Sequence, residues 1–205
     1  HLRTRRQRQM CIRDRLVLAV KPQIMPLVIR DLAGGLSTDA PLLISIAAGV
    51  SCDALQQWAG KVLPIVRCMP NTPALLREGA TGLFANASAS AEQKQVAQDI
   101  LDAVGLTVWV ENESDLDAVT ALSGSGPAYF FLLLELMQLK ATALGLSPDI
   151  ALKLAQQTAL GASRMALESD LPVDELRRRV TSPNGTTEAA INSFIDNGLG
   201  DLVDK

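Results

Sequence analysis

The chain changes character at residues 117–130, DAVTALSGSGPAYF. Before this stretch, short apolar runs alternate with helical patterns, and after it only helical patterns occur. Its Gly- and Ser-rich part leads into a helix that begins near Pro127, and a second such junction follows at residues 181–187, TSPNGTT. The start of a helix presents unpaired backbone N–H groups and the positive end of the helix dipole. Two such junctions indicate a site for a small acidic molecule.

The first half of the chain predicts a parallel sheet that is covered on both faces. Apolar runs typical of buried strands are separated by helical patterns, which is the signature of an α/β, Rossmann-type domain. The predicted strands are residues 16–20, 42–47, 63–69 and 106–110, and the predicted helices are residues 22–32, 51–59 and 91–104. Ligands bind such sheets at the carboxyl ends of the strands, so Lys21, residues 48–49 and residues 70–73 are expected at one rim.

The second half predicts an all-α domain that assembles with a second subunit. Helices are expected over residues 127–145 and 148–169, with shorter ones near 176–180 and 187–196. Alanines recur at spacings of three and four along the second helix, at residues 151, 155, 159, 162 and 166. Such a stripe favours close helix packing, and so much apolar surface favours a homodimer or a larger homo-oligomer. Tyr129 is expected in the core.

The composition of the chain excludes several classes of function. The chain has 205 residues, of which 48% are hydrophobic, and no uninterrupted apolar run reaches the roughly 18 residues of a membrane span. Cys11, Cys52 and Cys68 are widely spaced, which favours buried reduced thiols in a soluble cytoplasmic protein. The one histidine is His1. Histidine-based triads and histidine metal sites are therefore unavailable, and no metal is expected.

Residues 1–15 differ in kind from the rest and are interpreted as a foreign or artefactual leader. They contain six of the 19 basic residues and one of the 22 acidic residues, so the remaining chain has a net charge of about −8. That charge leaves no basic surface for nucleic acid. A nucleic-acid-binding arm is the alternative for the leader, but it adjoins a strand without a linker.

Five motifs in a fixed order resemble the pyrroline-5-carboxylate reductase family. They are AVKPQ at 19–23, SIAAG at 45–49, RCMPNTP at 67–73, LSGSGPAY at 122–129 and SPNGTT at 182–187. The resemblance covers residues 16–205 and implies reduction of 1-pyrroline-5-carboxylate to L-proline, the last step of proline biosynthesis, with NADPH or NADH. It also implies an incomplete dinucleotide-binding domain over residues 16–113 and a helical dimerisation and substrate domain, shortened at its carboxyl end, over residues 114–205.

The resemblance assigns roles to particular residues. The expected cofactor-binding residues are Ala19, Val20, Lys21, Pro22, Ala47 and Asn71. The expected substrate-binding residues are Ser123, Gly124, Ser182, Gly185, Thr186 and Thr187. Thr187 is also the expected catalytic residue, because by resemblance its hydroxyl faces the ring nitrogen. From the residues alone, the N–H groups of 185–187 at a helix start suit a substrate carboxylate, while an ordinary N-cap threonine is the alternative.

The chain departs from the family in ways that keep other hypotheses open. The Gly-rich turn that receives the cofactor pyrophosphate does not occur in the 205 residues, and Asn184 stands where glycine is more usual. We therefore expect these residues alone to bind NADPH negligibly. The alternatives are an inactive fragment, a helical assembly module without catalysis, and a reductase of the β-hydroxyacid dehydrogenase type using Lys140 or Lys153. Neither lysine has that family's flanking motif, so a solvated charge is expected at both.

Overall fold

The computed structural model describes residues 15–35 and 41–204. These residues form two compact units, of which the first ends at Phe131 and the second begins at Leu132. Of the predicted leader, only Arg15 lies within the described residues, and Cys11 lies outside them. Arg15 opens the first strand and pairs with Leu42, so this strand begins one residue inside the predicted leader.

The first unit is a Rossmann-type sheet with helices on both faces. In chain order its elements are β1 Arg15–Leu18, a 3-10 turn Pro22–Ile24 that continues into α1 Met25–Ala33, β2 Leu42–Ser45, α2 Cys52–Ala59, β3 Ile65–Met69, a 3-10 turn Thr72–Leu76, β4 Gly79–Ala85, α3 Ala91–Asp102, β5 Gly105–Trp109, α4 Asp115–Val119 and a π-helical turn Thr120–Gly124. The strand order is β1-β2-β3-β4-β5, and β1, β2 and β3 are parallel neighbours.

Alternation along the buried strands builds a core on each face of the sheet. In β2, Leu43 packs with Met25 and Leu55 of the helices on one face. Its neighbours Leu42 and Ile44 belong to the opposite cluster, which includes Leu101 of α3. Successive side chains of a strand point to opposite faces, so a strand that is apolar throughout needs cover on both sides. The predicted α/β class is confirmed.

Strand β4 was not predicted, and it makes the sheet mixed instead of wholly parallel. It runs antiparallel to β3 and parallel to β5. Its sequence, GATGLFA, contains two glycines and lacks an apolar run, so its local strand signal is weak. Gly79 pairs with Gly105, and a Cβ atom on Gly105 would lie 2.1 Å from the Gly79 carbonyl oxygen. Close approach of the two backbones therefore explains Gly79 and Gly105.

Helices make up the second unit, as predicted. Helix α5 Gly126–Ala143 begins in the first unit, and the helices that follow are α6 Pro148–Glu168, α7 Val173–Arg179, α8 Thr186–Asp196 and α9 Leu199–Val203. Ser147 caps α6, since its hydroxyl accepts the Ile150 N–H at 3.4 Å. Of the alanine stripe, Ala151 and Ala155 are buried, whereas Ala162 is exposed.

Helix α5 exposes most of its apolar surface within the single chain. Phe130, Phe131 and Leu136 are 62%, 64% and 54% exposed. By length and composition alone, the continuous helical segment Asp115–Ala143 is apolar enough to cross a membrane, and core helices of soluble proteins can pass the same test. The expected core position of Tyr129 is wrong for the single chain, because its ring is 57% exposed while its hydroxyl donates to the Ala121 carbonyl oxygen at 3.2 Å.

Candidate active site

The carboxyl ends of β1, β2 and β3 place three groups of predicted residues along one edge of the sheet. Lys21 follows β1, Ala47 follows β2 and Asn71 follows β3, and these strands are parallel neighbours. Lys21 is exposed, Asn71 is half-buried and Ala47 is buried. Gly49 has a φ of 70° and open space around its Cα, so backbone is accessible at this rim.

The predicted cofactor residues around Lys21 form the turn between β1 and α1. Ala19 is exposed, and Val20 and Pro22 are half-buried. Lys21 is the N-cap of the 3-10 turn, with Pro22 as its first residue. Proline suits that position because its missing N–H would have no partner there in any case.

The Asn71 side chain braces the rim against the segment that precedes α5. Its Nδ2 atom donates to the Ser123 carbonyl oxygen at 3.0 Å, and its Oδ1 atom accepts the Ala80 N–H at 2.9 Å. The two partners lie 52 and nine residues away along the chain, so the local Asx turn that was the alternative for Asn71 is not formed. The expected place of Asn71 beside the nicotinamide stays a prediction.

Ser123 and Gly124 lie in the π-helical turn and face the rim. The Ser123 hydroxyl donates to the Val119 carbonyl oxygen at 3.0 Å. A Cβ atom on Gly124 would lie 2.5 Å from Met69 Cε, so a larger residue here would have to displace the end of the Met69 side chain. A mainly apolar cleft of about 340 Å³ adjoins the turn, lined by Asn71, Pro73, Leu122, Ser123, Gly126, Pro127, Phe130 and Phe131.

The loop TSPNGTT forms a tight turn ahead of α8. Asn184 has a φ of 57°, a backbone conformation that asparagine tolerates better than most residues. Gly185 donates its N–H to the Ser182 carbonyl oxygen at 3.0 Å, so this N–H is already used. Within the described residues, the N–H groups of Thr186 and Thr187 have no protein acceptor. Two of the three predicted donors therefore remain free for an anion.

Sequence reasoning missed Glu188, which holds this loop. Its Oε2 atom accepts the Asn184 N–H at 2.8 Å. The side-chain hydroxyls of Thr186 and Thr187 have no hydrogen bond among the described residues, and both residues are exposed. The signal for Glu188 was a glutamate in the first turn of a helix, a position where acidic residues commonly cap the preceding loop.

A second missed feature is a partly buried ion pair beneath the rim. Arg67 lies in β3 and is 8% exposed, and its Nη1 atom donates to Glu113 Oε1 at 2.7 Å. The same oxygen accepts the Cys52 N–H at 2.6 Å. Burial acts to raise the pKa of Glu113, but the Cys52 N–H and the Arg67 guanidinium outweigh it and lower that pKa. The signal was an arginine inside the apolar strand IVRCM, since a buried charge needs a partner.

Neither described thiol is suited to nucleophilic catalysis. Burial raises the pKa of Cys68 to about 12, and burial together with the Glu113 carboxylate raises that of Cys52 to about 12. Both thiols are free and buried, as predicted. Among residues 15–35 and 41–204, no group of three or more His, Cys, Asp or Glu side chains can hold a metal ion.

The two lysines of the alternative reductase type are surface charges. Lys153 forms an exposed ion pair with Asp149 one helical turn away, at 2.8 Å. Lys140 is exposed near the end of α5. The structure therefore offers no observation in favour of a lysine acid or base.

A Rossmann-type sheet followed along the chain by a helical unit, with free N–H groups at the start of α8, is the arrangement expected of a nicotinamide-dependent reductase. Residues 113–205 match the family described as pyrroline-5-carboxylate reductase dimerisation. Pyrroline-5-carboxylate reductase from Pseudomonas aeruginosa is 56% identical over 192 residues, which are 94% of this chain and 70% of that protein. The chain belongs to the pyrroline-5-carboxylate reductase family.

Solved structures agree with this assignment. A pyrroline-5-carboxylate reductase from Coxiella burnetii superposes with a TM-score of 0.87 at 48% identity, covering 93% of this chain and 70% of the other. Plasmodium falciparum pyrroline carboxylate reductase with NADP bound has a TM-score of 0.85 at 34% identity, covering 93% of this chain and 71% of the other. The resemblance carried by the five motifs is confirmed at the level of the family.

Proposed function

We propose that this protein reduces 1-pyrroline-5-carboxylate to L-proline with NADPH or NADH, the last step of proline biosynthesis. The observation that carries the proposal is the start of α8, where the Thr186 and Thr187 N–H groups lack acceptors within the described chain. A helix start with two free donors suits the single carboxylate of this substrate.

The residues of the rim fit the nicotinamide half of the cofactor. The turn at residues 19–22 and the Ala47 loop follow the carboxyl ends of two parallel strands, and Gly49 leaves space for close approach. When bound, the nicotinamide supplies the hydride that adds to the imine carbon. The residues of this chain then bind and orient the substrate and the cofactor, and they handle one proton.

The helical part acts on the substrate. The N–H groups of Thr186 and Thr187 hold the carboxylate, and Ser182 shapes the loop through its carbonyl oxygen, which accepts the Gly185 N–H. The Thr187 hydroxyl hydrogen-bonds the ring nitrogen and keeps it oriented while that nitrogen becomes the amine of proline. Ser123 and Gly124 are the further substrate-binding residues that the family resemblance implies, and Ser123 lines the cleft beside Asn71.

Domain limits, assembly and location belong to the same proposal. A dinucleotide-binding domain spans residues 16–113, and a helical dimerisation and substrate domain spans residues 114–205. The exposed apolar surface of α5 supports a homodimer or a larger homo-oligomer of a soluble cytoplasmic enzyme, because a second copy removes that surface from water.

The test uses an extended protein, in which residues 16–205 follow the amino-terminal part of the Pseudomonas aeruginosa relative. We expect consumption of NADPH, followed at 340 nm, that depends on 1-pyrroline-5-carboxylate and yields an equal amount of proline. A β-hydroxy acid with NADP⁺ serves as the control substrate. Absence of proline from a folded extended protein would contradict the proposal and favour the assembly-module alternative.

A further inference from the structure

Glu113 joins three parts of the first unit through one carboxylate oxygen. This oxygen accepts the Cys52 N–H at 2.6 Å and an Arg67 N–H at 2.7 Å. Cys52 lies 61 residues and Arg67 46 residues away along the chain, so the contact is tertiary. The Glu113 side chain is 27% exposed and that of Arg67 10% exposed. Charge-assisted hydrogen bonds of this length are about twice as strong as neutral ones.

One end of this contact lies at the cofactor rim. Cys52 is the first residue of α2, and it closes the loop of residues 46–51 that leaves the carboxyl end of β2 and contains Ala47. In this fold such a helix start commonly faces a bound anion. Here the Glu113 carboxylate accepts the Cys52 N–H, and the Ser51 hydroxyl accepts the Ala54 N–H at 3.2 Å. The protein therefore fixes the end of this loop with its own anion.

The other end of the contact leads to the substrate side. Glu113 lies two residues before α4. Val119 at the end of α4 packs on Gly82, where a Cβ atom would lie 2.7 Å from Val119 Cγ1. Ser123 then receives the Asn71 side chain at 3.0 Å. Glu113 is thus the first of three attachments that hold residues 113–124 against the sheet.

We propose that Glu113 is a positioning residue for the reductase reaction, whose carboxylate sets the cofactor loop of residues 46–51 and the substrate segment of residues 114–124 in one mutual arrangement. This inference rests on the proposed function. Glu113 bonds Cys52 and Arg67, so its removal acts through these two residues.

The local arm of the test uses the 205-residue chain with Cys11→Ser, so that Cys52 and Cys68 are its thiols. The rate of alkylation of each thiol is followed by peptide mass spectrometry. We expect Glu113→Ala to make Cys52 react at least tenfold faster and to leave Cys68 within twofold, because the start of α2 loosens and because the carboxylate that raises the pKa of the Cys52 thiol is removed. Equal acceleration at both thiols would mean global destabilisation and would overturn the proposal.

The functional arm uses the extended protein. For Glu113→Ala we expect the NADP⁺ dissociation constant, measured by calorimetry, and the KM for NADPH to rise about fivefold to tenfold, with kcat lowered no more than about threefold. Glu113→Gln keeps an acceptor for both N–H groups and should recover more than half of the lost affinity. Glu111→Gln removes the same charge at an exposed position two residues away and should match the parent.

The outcomes separate the two proposals. A lower melting temperature with unchanged NADP⁺ affinity and KM would make Glu113 merely structural and overturn the inference. Absence of reductase activity in the folded parent would overturn the proposed function, while NADP⁺ calorimetry and thiol reactivity still decide the role of Glu113. If Glu113→Ala does not fold, Glu113→Gln carries the test: Cys52 should react about threefold faster than in Glu111→Gln, and equal rates would refute the inference.

Discussion

Replacing Asn71 with alanine removes the brace between the rim and the π-helical turn. Two hydrogen bonds are lost, from Asn71 Nδ2 to the Ser123 carbonyl oxygen at 3.0 Å and from the Ala80 N–H to Asn71 Oδ1 at 2.9 Å. A typical net contribution is about 0.5–1.5 kcal/mol for each bond. Asn71 is half-buried, so water replaces part of each bond. We therefore expect a loss of about 1–2 kcal/mol in the free energy of unfolding.

Urea unfolding followed by tryptophan fluorescence measures this loss, because Trp58 and Trp109 both lie in the first unit. The midpoint should fall while the slope stays constant, which indicates a change in stability alone. Thr72→Ala, at the exposed neighbouring position, is the matched control and should change the free energy by less than about 0.5 kcal/mol.

Unchanged stability together with weaker cofactor binding would refute the role of Asn71 as a brace. If Asn71→Ala unfolded at the parent's urea concentration and yet weakened NADP⁺ binding by the extended protein more than tenfold, Asn71 would act on the cofactor directly. Its two hydrogen bonds would then contribute nothing that the surrounding backbone does not already supply.

Four further predictions concern catalysis, substrate binding, pH and assembly. In the extended protein, Thr187→Ala should lower kcat about ten- to a hundredfold with little change in NADPH affinity, because one positioned proton-handling group supplies at least this much. Near-normal turnover would exclude a catalytic role for this hydroxyl. Gly185→Pro removes the N–H that closes the turn on Ser182, so steady-state kinetics should show a raised KM for the substrate, and an unchanged KM would argue against this loop as the carboxylate site. The lowered pKa of Glu113 means that its ionised carboxylate stabilises the fold above the ordinary glutamate pKa of about 4.3, and this stability is lost as the pH falls through the lower pKa of the folded state. The difference in urea midpoint between the parent and Glu113→Gln should therefore shrink from pH 6 to pH 3. A constant difference would contradict the assigned cause. Leu136→Arg should reduce the oligomer mass measured by light scattering, whereas Leu27→Arg, at an exposed site on α1, should not, and equal masses would place the subunit contact elsewhere.

Much of the architecture could be predicted because its causes are local. The apolar runs of β2 and β3, the Ser51 and Ser147 caps and the glycine after α2 all act within one or two helical turns. The motif at residues 182–187 likewise predicted a turn and a helix start, and the structure has both. Its role in binding the substrate stays a prediction.

The rest depends on groups that lie far apart in the sequence. By itself, the sequence determined the Rossmann-type alternation, the helical second half and the family, because hydrophobic period, capping residues and ordered motifs are properties of neighbouring residues. Only the tertiary structure decided the antiparallel β4, in which Gly79 faces the backbone of Gly105 and Gly82 faces the Val119 side chain. It also decided the Asn71 bond to Ser123, 52 residues away, and the Glu113 bonds to Arg67 and Cys52, 46 and 61 residues away. A local pattern cannot show which distant donor will neutralise a carboxylate or satisfy an amide, because folding brings those partners together.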